Sequence, residues 1–184
     1  MIEIHKEFID TTHRLCIKKW ICENEHLEEF SDNTGENTRR AFSVTYNKQS
    51  IPEMLSHYTT DVHNVYNFVG IVTMSSGHIP VHVDDDLVVY LKGIKTPEAL
   101  VRYPKQTVVY YVDICEDMTG GGLIYNGIKY KPETNMVVTF PSNEPHAVEA
   151  IQHTTRPRVV LVCEKYNLLS IISNRFTTPN WRAG

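Results

Sequence analysis

The chain has 184 residues, is 41% hydrophobic and 10% aromatic, and carries a formal net charge of −4. These values fit one globular domain over residues 1–184 and exclude a disordered chain. They provide no bulk attraction to polyanions, so nucleic acid is not an expected partner. The four cysteines, Cys16, Cys22, Cys115 and Cys163, form no C-x-x-C pair or disulfide framework. The start of the chain lacks a signal-peptide core, and no apolar run is long enough to span a bilayer. A soluble protein of a reducing cytoplasm, with no membrane partner, is the expectation.

In chain order, residues 1–66 read as a helical support region. Thr12 is placed to cap a helix with Leu15, Trp20, Leu27 and Phe30 on one side. Residues 31–40, SDNTGENTRR, are polar and turn-rich and read as a loop. Ser50-Ile51-Pro52-Glu53 has capping-box spacing, and Leu55, Tyr58, Val62 and Val65 follow at helical intervals. Residues 67–164 then read as an all-β core, with 165–184 as a C-terminal extension. Its apolar runs are 67–74, 79–83, 87–91, 106–114, 122–125, 128–130, 135–140, 145–151 and 157–164, rich in valine, isoleucine and tyrosine. Thr96 to Leu100 reads as one helical turn within a loop over 92–105. Asn126-Gly127 between two such runs signals a two-residue hairpin, because both turn positions favour positive φ. Short strands at this spacing predict a sandwich or small barrel.

His82-Val83-Asp84 and the later His146 are the candidate metal ligands. Residues two apart on a strand point to the same face, so His82 and Asp84 can reach one ion while Val81 and Val83 turn away. His146 precedes another strand and can enter from the opposite side. Two imidazoles and one carboxylate suit Fe(II), with open positions on the remaining face; Mn(II), Co(II) and Zn(II) are competitors. Asp86 shares parity with Asp84 and is the substitute ligand to test. The other histidines lack matching spacing and are expected to be structural or solvated.

Arg158 opens the apolar run Val159 to Val162. A guanidinium at the start of a core strand is costly to bury without an anionic partner, and its planar fork fits a carboxylate. Arg156 has the same parity and competes for the role. In Tyr110-Tyr111, alternation puts one ring inward and one outward. Gly120-Gly121-Gly122 permits a tight turn and close approach to another element. It lacks the strand and helix setting of a dinucleotide site.

With these residues in place, the chain resembles the Fe(II)- and 2-oxoglutarate-dependent dioxygenases, in particular their prolyl 4-hydroxylase-like branch. The segments carrying the resemblance are GHIPVHVDDD, QTVVYYVDICEDMTGGGLIYNG, NMVVTFPSNEPHAVEAI and RPRVVLVCEKY, in the family's order. The resemblance implies a double-stranded β-helix, the cupin-like jelly roll, with metal on His82, Asp84 and His146. It puts the distal carboxylate of 2-oxoglutarate on Arg158 and Tyr111, with Ile124 lining the same pocket. Arg158 lies twelve positions after His146 and Arg156 ten, so spacing leaves the two open. The family often carries a tyrosine where this chain has Ile79. The implied activity is hydroxylation of a prolyl residue in a peptide or protein, using Fe(II), 2-oxoglutarate and O2 and releasing succinate and CO2, with ascorbate left open. The alternatives are the same chemistry on a free amino acid or other small molecule, and a non-oxidative cupin-like metal- or sugar-binding module. The 31–40 and 92–105 loops are the expected substrate-facing segments.

Overall fold

The computed structural model describes residues 1–31, 38–74, 78–84 and 104–183. Its strands are β1 (Glu3–His5), β2 (Glu28–Ser31), β3 (Thr38–Asn47), β4 (Val65–Thr73), β5 (Ile79–His82), β6 (Gln106–Asp113) and β7 (Thr119–Gly120). They continue with β8 (Leu123–Tyr125), β9 (Ile128–Tyr130), β10 (Met136–Phe140), β11 (His146–Val148), β12 (Ile151–His153), β13 (Arg158–Tyr166) and β14 (Asn180–Ala183). Helix α1 spans Thr11–Cys22 and the short α2 spans Ser170–Ser173. Among the described residues, no helix is long and apolar enough to cross a membrane.

Antiparallel pairing builds a large sheet in the order β1-β10-β6-β13-β4-β3-β14, with β2 also on β3. A smaller sheet runs β5-β11-β8-β9, and β12 pairs with β7. Strand alternation divides the large sheet's side chains into two cores. Phe42, Val44, Phe68, Tyr110, Leu161 and Cys163 pack with Ile17 and Ile21 of α1. Tyr111, Val138, Phe140 and Val160 pack with Leu123 and Tyr125 of the smaller sheet. This second core is the interior of a double-stranded β-helix.

The hairpin reading holds: β8 pairs with β9, and Asn126 and Gly127 have φ of 50° and 75°. The alternation of the tyrosine pair also holds. Tyr111 faces the interior, while the outward Tyr110 lies beneath α1 and its hydroxyl donates to Asn135 Oδ1.

The N-terminal region differs from expectation. It contributes β3, a ten-residue strand joined to β4 along its length. In Ala41-Phe42-Ser43-Val44-Thr45-Tyr46, large apolar side chains alternate with small or polar ones, which is the strand period. Attaching Thr38 to Arg40 to the polar run before them hides that period. Helix α1 is capped by Asp10, which accepts from the His13 backbone N–H at 3.0 Å, rather than by Thr12. Its buried stripe is Ile17 and Ile21, and Leu15 is exposed. The expected second helix is only a 3-10 turn over Glu53–Tyr58. Ser50 donates there to the Asn47 and Phe176 carbonyls instead of capping, Val62 is exposed, and Val65 begins β4. The run 145–151 divides into β11 and β12. The expected strand 87–91, the turn at 96–100, Asp86 and most of both candidate substrate loops lie outside the described residues.

Gly120 ends β7, where it pairs with Ile151 of β12. Its φ is +76°, and a Cβ there would lie 2.0 Å from the Ala150 carbonyl oxygen. That same oxygen accepts the Gly121 backbone N–H at 3.0 Å. Gly120→Ala is expected to cost about 2–3 kcal/mol or more, from left-handed strain and displaced backbone together. Chemical denaturation measures this, and an unchanged midpoint would refute it.

Candidate active site

Pairing of β5 with β11 places His82 directly opposite His146. Asp84 follows the end of β5, and its backbone N–H donates to the Ser142 carbonyl at 3.0 Å. One ligand atom from each of His82, Asp84 and His146 lies within 4.8 Å of the others. Asp84 Oδ1 is 3.7 Å from His82 Nε2 and 3.5 Å from His146 Nε2.

The ring nitrogens are set by their second partners. His82 Nδ1 is 2.9 Å from the Pro80 carbonyl oxygen, and His146 Nδ1 is 3.0 Å from that of Glu144. A carbonyl only accepts, so both Nδ1 atoms carry the hydrogen and both Nε2 lone pairs face Asp84. This donor set fits a ferrous ion with one face open. Burial pushes the His146 pKa down, but the Asp84 carboxylate and the Glu144 carbonyl, both acceptors, favour the protonated ring in the metal-free protein and outweigh that, so the net direction is up. The ring also packs against Phe140, with centroids 4.7 Å apart.

A polar clamp behind Asp84 had no counterpart in the sequence reading. Thr107 donates to Asp84 Oδ2 at 2.5 Å, and its Oγ1 is 2.7 Å from Ser142 Oγ. Thr107 and Ser142 are both buried. The clamp occupies Oδ2 and leaves Oδ1 toward the imidazoles. Thr107→Val, which keeps the shape and removes the hydroxyl, is expected to weaken divalent-metal binding about 10–100-fold. Mn(II) titration tests this, and equal affinity in Thr107→Val would show that the clamp does not orient Asp84.

The three groups open into a cavity of about 350 Å3 between the sheets. Arg158 and Tyr111 line it, and both are buried. Arg158 Nη1 donates to the Gly121 carbonyl at 2.7 Å, while its buried Nε has no hydrogen-bond partner. Burial pushes the Arg158 pKa down and the Tyr111 pKa up, and the proximity of the two groups opposes each shift. Arg156 lies elsewhere: its exposed side chain reaches Asp113 Oδ2 at 3.3 Å, alongside Lys18.

Ile124 does not line the cavity; Leu123 does. Leu123 pairs with Val148 and Tyr125 with His146, so the face shared with the ligands carries residues 123 and 125, and Ile124 points the other way. Ile79, where the family often has tyrosine, is on the cavity wall. Arg39 of β3 also lines it, and like Arg158 it is paired in register with Thr73 of β4. Parity had a usable signal for both missed polar residues. Thr107 shares a face with Tyr111, and Arg39 shares one with Ala41 once 38–47 is read as a strand.

No protein-family model and no curated protein matches the sequence. Solved structures do match the fold. The chain is similar to a prolyl-4-hydroxylase from Pseudomonas putida at 12% identity and TM-score 0.61, covering 90% of this chain and 92% of that one. It is similar to a Trichoplax adhaerens prolyl hydroxylase in complex with a hypoxia-inducible-factor peptide fragment at 11% identity and TM-score 0.54, covering 96% and 87%. HygX from Streptomyces hygroscopicus, with nickel and 2-oxoglutarate bound, matches at 10% identity and TM-score 0.53, covering 88% and 81%. The alternating cores, the sheet order and these similarities identify the fold as the double-stranded β-helix that prolyl hydroxylases and related oxygenases share.

Proposed function

We propose that the protein is an Fe(II)- and 2-oxoglutarate-dependent dioxygenase that hydroxylates its substrate. The observation that carries this reading is a buried guanidinium lacking a carboxylate partner among the described residues, in the same cavity as a His-Asp-His face. A buried cation with an unused donor calls for an anion, and 2-oxoglutarate brings a carboxylate at the end remote from the metal. In this reading His82, Asp84 and His146 hold the iron, and Arg158 and Tyr111 hold the distal carboxylate. Val109, Val160 and Val162 exclude water along the wall between them and strengthen that ion pair. Thr107 and Ser142 keep the Asp84 carboxylate in one orientation. When bound, the iron and 2-oxoglutarate supply the oxygen activation, and the co-substrate leaves as succinate and CO2. No side-chain general base is required.

For the substrate we propose a prolyl residue in a peptide or protein. Two of the similar structures are named prolyl hydroxylases, and one of them holds a peptide. Free amino acids and other small molecules are the competing substrates.

Anaerobic addition of Fe(II) and then 2-oxoglutarate tests the proposal without a substrate. A weak visible charge-transfer band that needs both additions is the expected result. No band, with iron demonstrably bound, would overturn the co-substrate role of Arg158 and Tyr111. Succinate formation driven by proline-containing peptides, against free proline and other amino acids, then separates the substrate classes.

A further inference from the structure

An open surface cleft of about 520 Å3 lies outside the barrel between α1 and β14. Cys16, Lys19, Trp20 and Glu23 form its α1 wall at helical spacing, Asn24 to His26 form its end, and Trp181 lies opposite. Both tryptophans of the chain are therefore in this cleft. Their ring centroids are 6.3 Å apart with planes at 53°. The His26 ring stacks on Trp181 with centroids 4.7 Å apart and planes at 26°.

The aromatic wall is held from beneath. Phe42 contacts Trp20 edge-on at 5.0 Å and Trp181 at 5.7 Å. Phe42 is fully buried, and a Cβ on Gly70 would lie 2.4 Å from its ring, so Gly70 clears the space that seats it. The indoles are thus fixed by the sheet, partly buried against the core with the remainder open to the cleft.

The charge around them is negative. Glu23 and Glu25 both line the cleft. Lys19 lies 3.9 Å from Glu23 and offsets one of them; Glu25 has the His26 ring at 3.7 Å. Glu23 is also the C-cap of α1, where the helix dipole presents its negative end. Indole faces, a carboxylate and a helix C-terminus all favour a cation and disfavour an anion. Both rings line the same cleft, so a cation bound at its mouth lies beside two indoles, the ring type with the strongest cation–π attraction.

We propose that this cleft binds a methylated ammonium group. Such a group has diffuse charge and an apolar surface, so it loses little hydration on entering an aromatic wall. A compact, strongly hydrated cation such as Na+ does not share that advantage.

Tryptophan fluorescence, excited beyond the tyrosine absorption, reads this site alone, because both tryptophans lie in it. Tetramethylammonium chloride is the probe, and NaCl at equal ionic strength is the control. A saturable change with tetramethylammonium and none with NaCl is expected. Trp181→Leu, which retains Trp20 as reporter, and Glu25→Gln should each weaken binding at least about fivefold. Circular dichroism checks that both variants are folded, and the Fe(II)- and 2-oxoglutarate-dependent spectrum should be unchanged in them, since the cleft lies outside the barrel. An equal response to NaCl, a response that never saturates, or full binding in both variants would overturn the proposal. Choline and a trimethyllysine peptide, compared as ligands, then distinguish a free metabolite from a modified side chain as the source of the group.

Discussion

Arg158→Met is expected to weaken 2-oxoglutarate binding about a hundredfold or more without lowering the stability of the ligand-free protein. The two effects have opposite origins. In the ligand-free protein the guanidinium is buried, has a backbone carbonyl partner for Nη1 and no partner for Nε. Exchanging a poorly compensated buried charge for an apolar side chain of similar volume is neutral or stabilising by about 1–4 kcal/mol. Loss of the donor to the Gly121 carbonyl offsets about 1 kcal/mol of that. With 2-oxoglutarate bound, the same substitution leaves a carboxylate in an apolar cavity without its cation, at a cost of about 2–5 kcal/mol. Anaerobic 2-oxoglutarate titration of the Fe(II) form measures the first effect, and thermal unfolding without ligands measures the second. A destabilised variant that still binds 2-oxoglutarate normally would make Arg158 a structural residue. Arg156→Met serves as the control. Its partner, Asp113, is also held by Lys18, so little change in co-substrate affinity is expected.

His146→Ala is expected to remove metal binding almost completely. One of three ligand side chains is lost, and the penalty should exceed the roughly 10–100-fold that loss of an outer partner costs. The fold should survive, because the ring caps the barrel interior beside Phe140 and is not at the centre of either core. Metal-dependent thermal stabilisation separates these effects. A ligand that binds only the folded state stabilises it by RT ln(1 + [L]/Kd), so the melting temperature rises with the logarithm of affinity. Mn(II) should therefore raise the melting temperature of the wild-type protein and leave that of His146→Ala unchanged. An equal rise in both would place the metal elsewhere. His82→Ala should behave similarly, with a smaller effect on the ligand-free protein because His82 is more exposed than His146.

Features governed by local periodicity were legible without the structure. His82 and Asp84 are two apart, so a strand puts them on one side whatever surrounds it. Asn126-Gly127 makes a hairpin because of its own backbone preferences. Arg158 reads as an anion site because a charge heads an apolar strand. Where two local signals compete, the reading fails. The capping-box spacing at Ser50 was overridden when Ser50 found the Asn47 and Phe176 carbonyls, the latter 126 residues away in sequence. The alternation in β3 was hidden by the polar residues that precede it.

The sequence by itself determined the β-rich core, the His-x-Asp pair, the distal histidine and the presence of a candidate anion-binding arginine. Each depends on neighbours within a few residues. Only the tertiary structure decided which of two arginines of equal parity enters the cavity, because Asp113 lies on another strand and pairs with Arg156 outside it. Only it replaced Ile124 with Leu123, because strand pairing sets which alternate residues face the ligands and a one-residue difference reverses the face. Thr107 and Ser142 behind Asp84, and the two tryptophans beside α1, are likewise assembled across long sequence separations. Such juxtapositions follow from the register and closure of the sheets, which no local pattern contains.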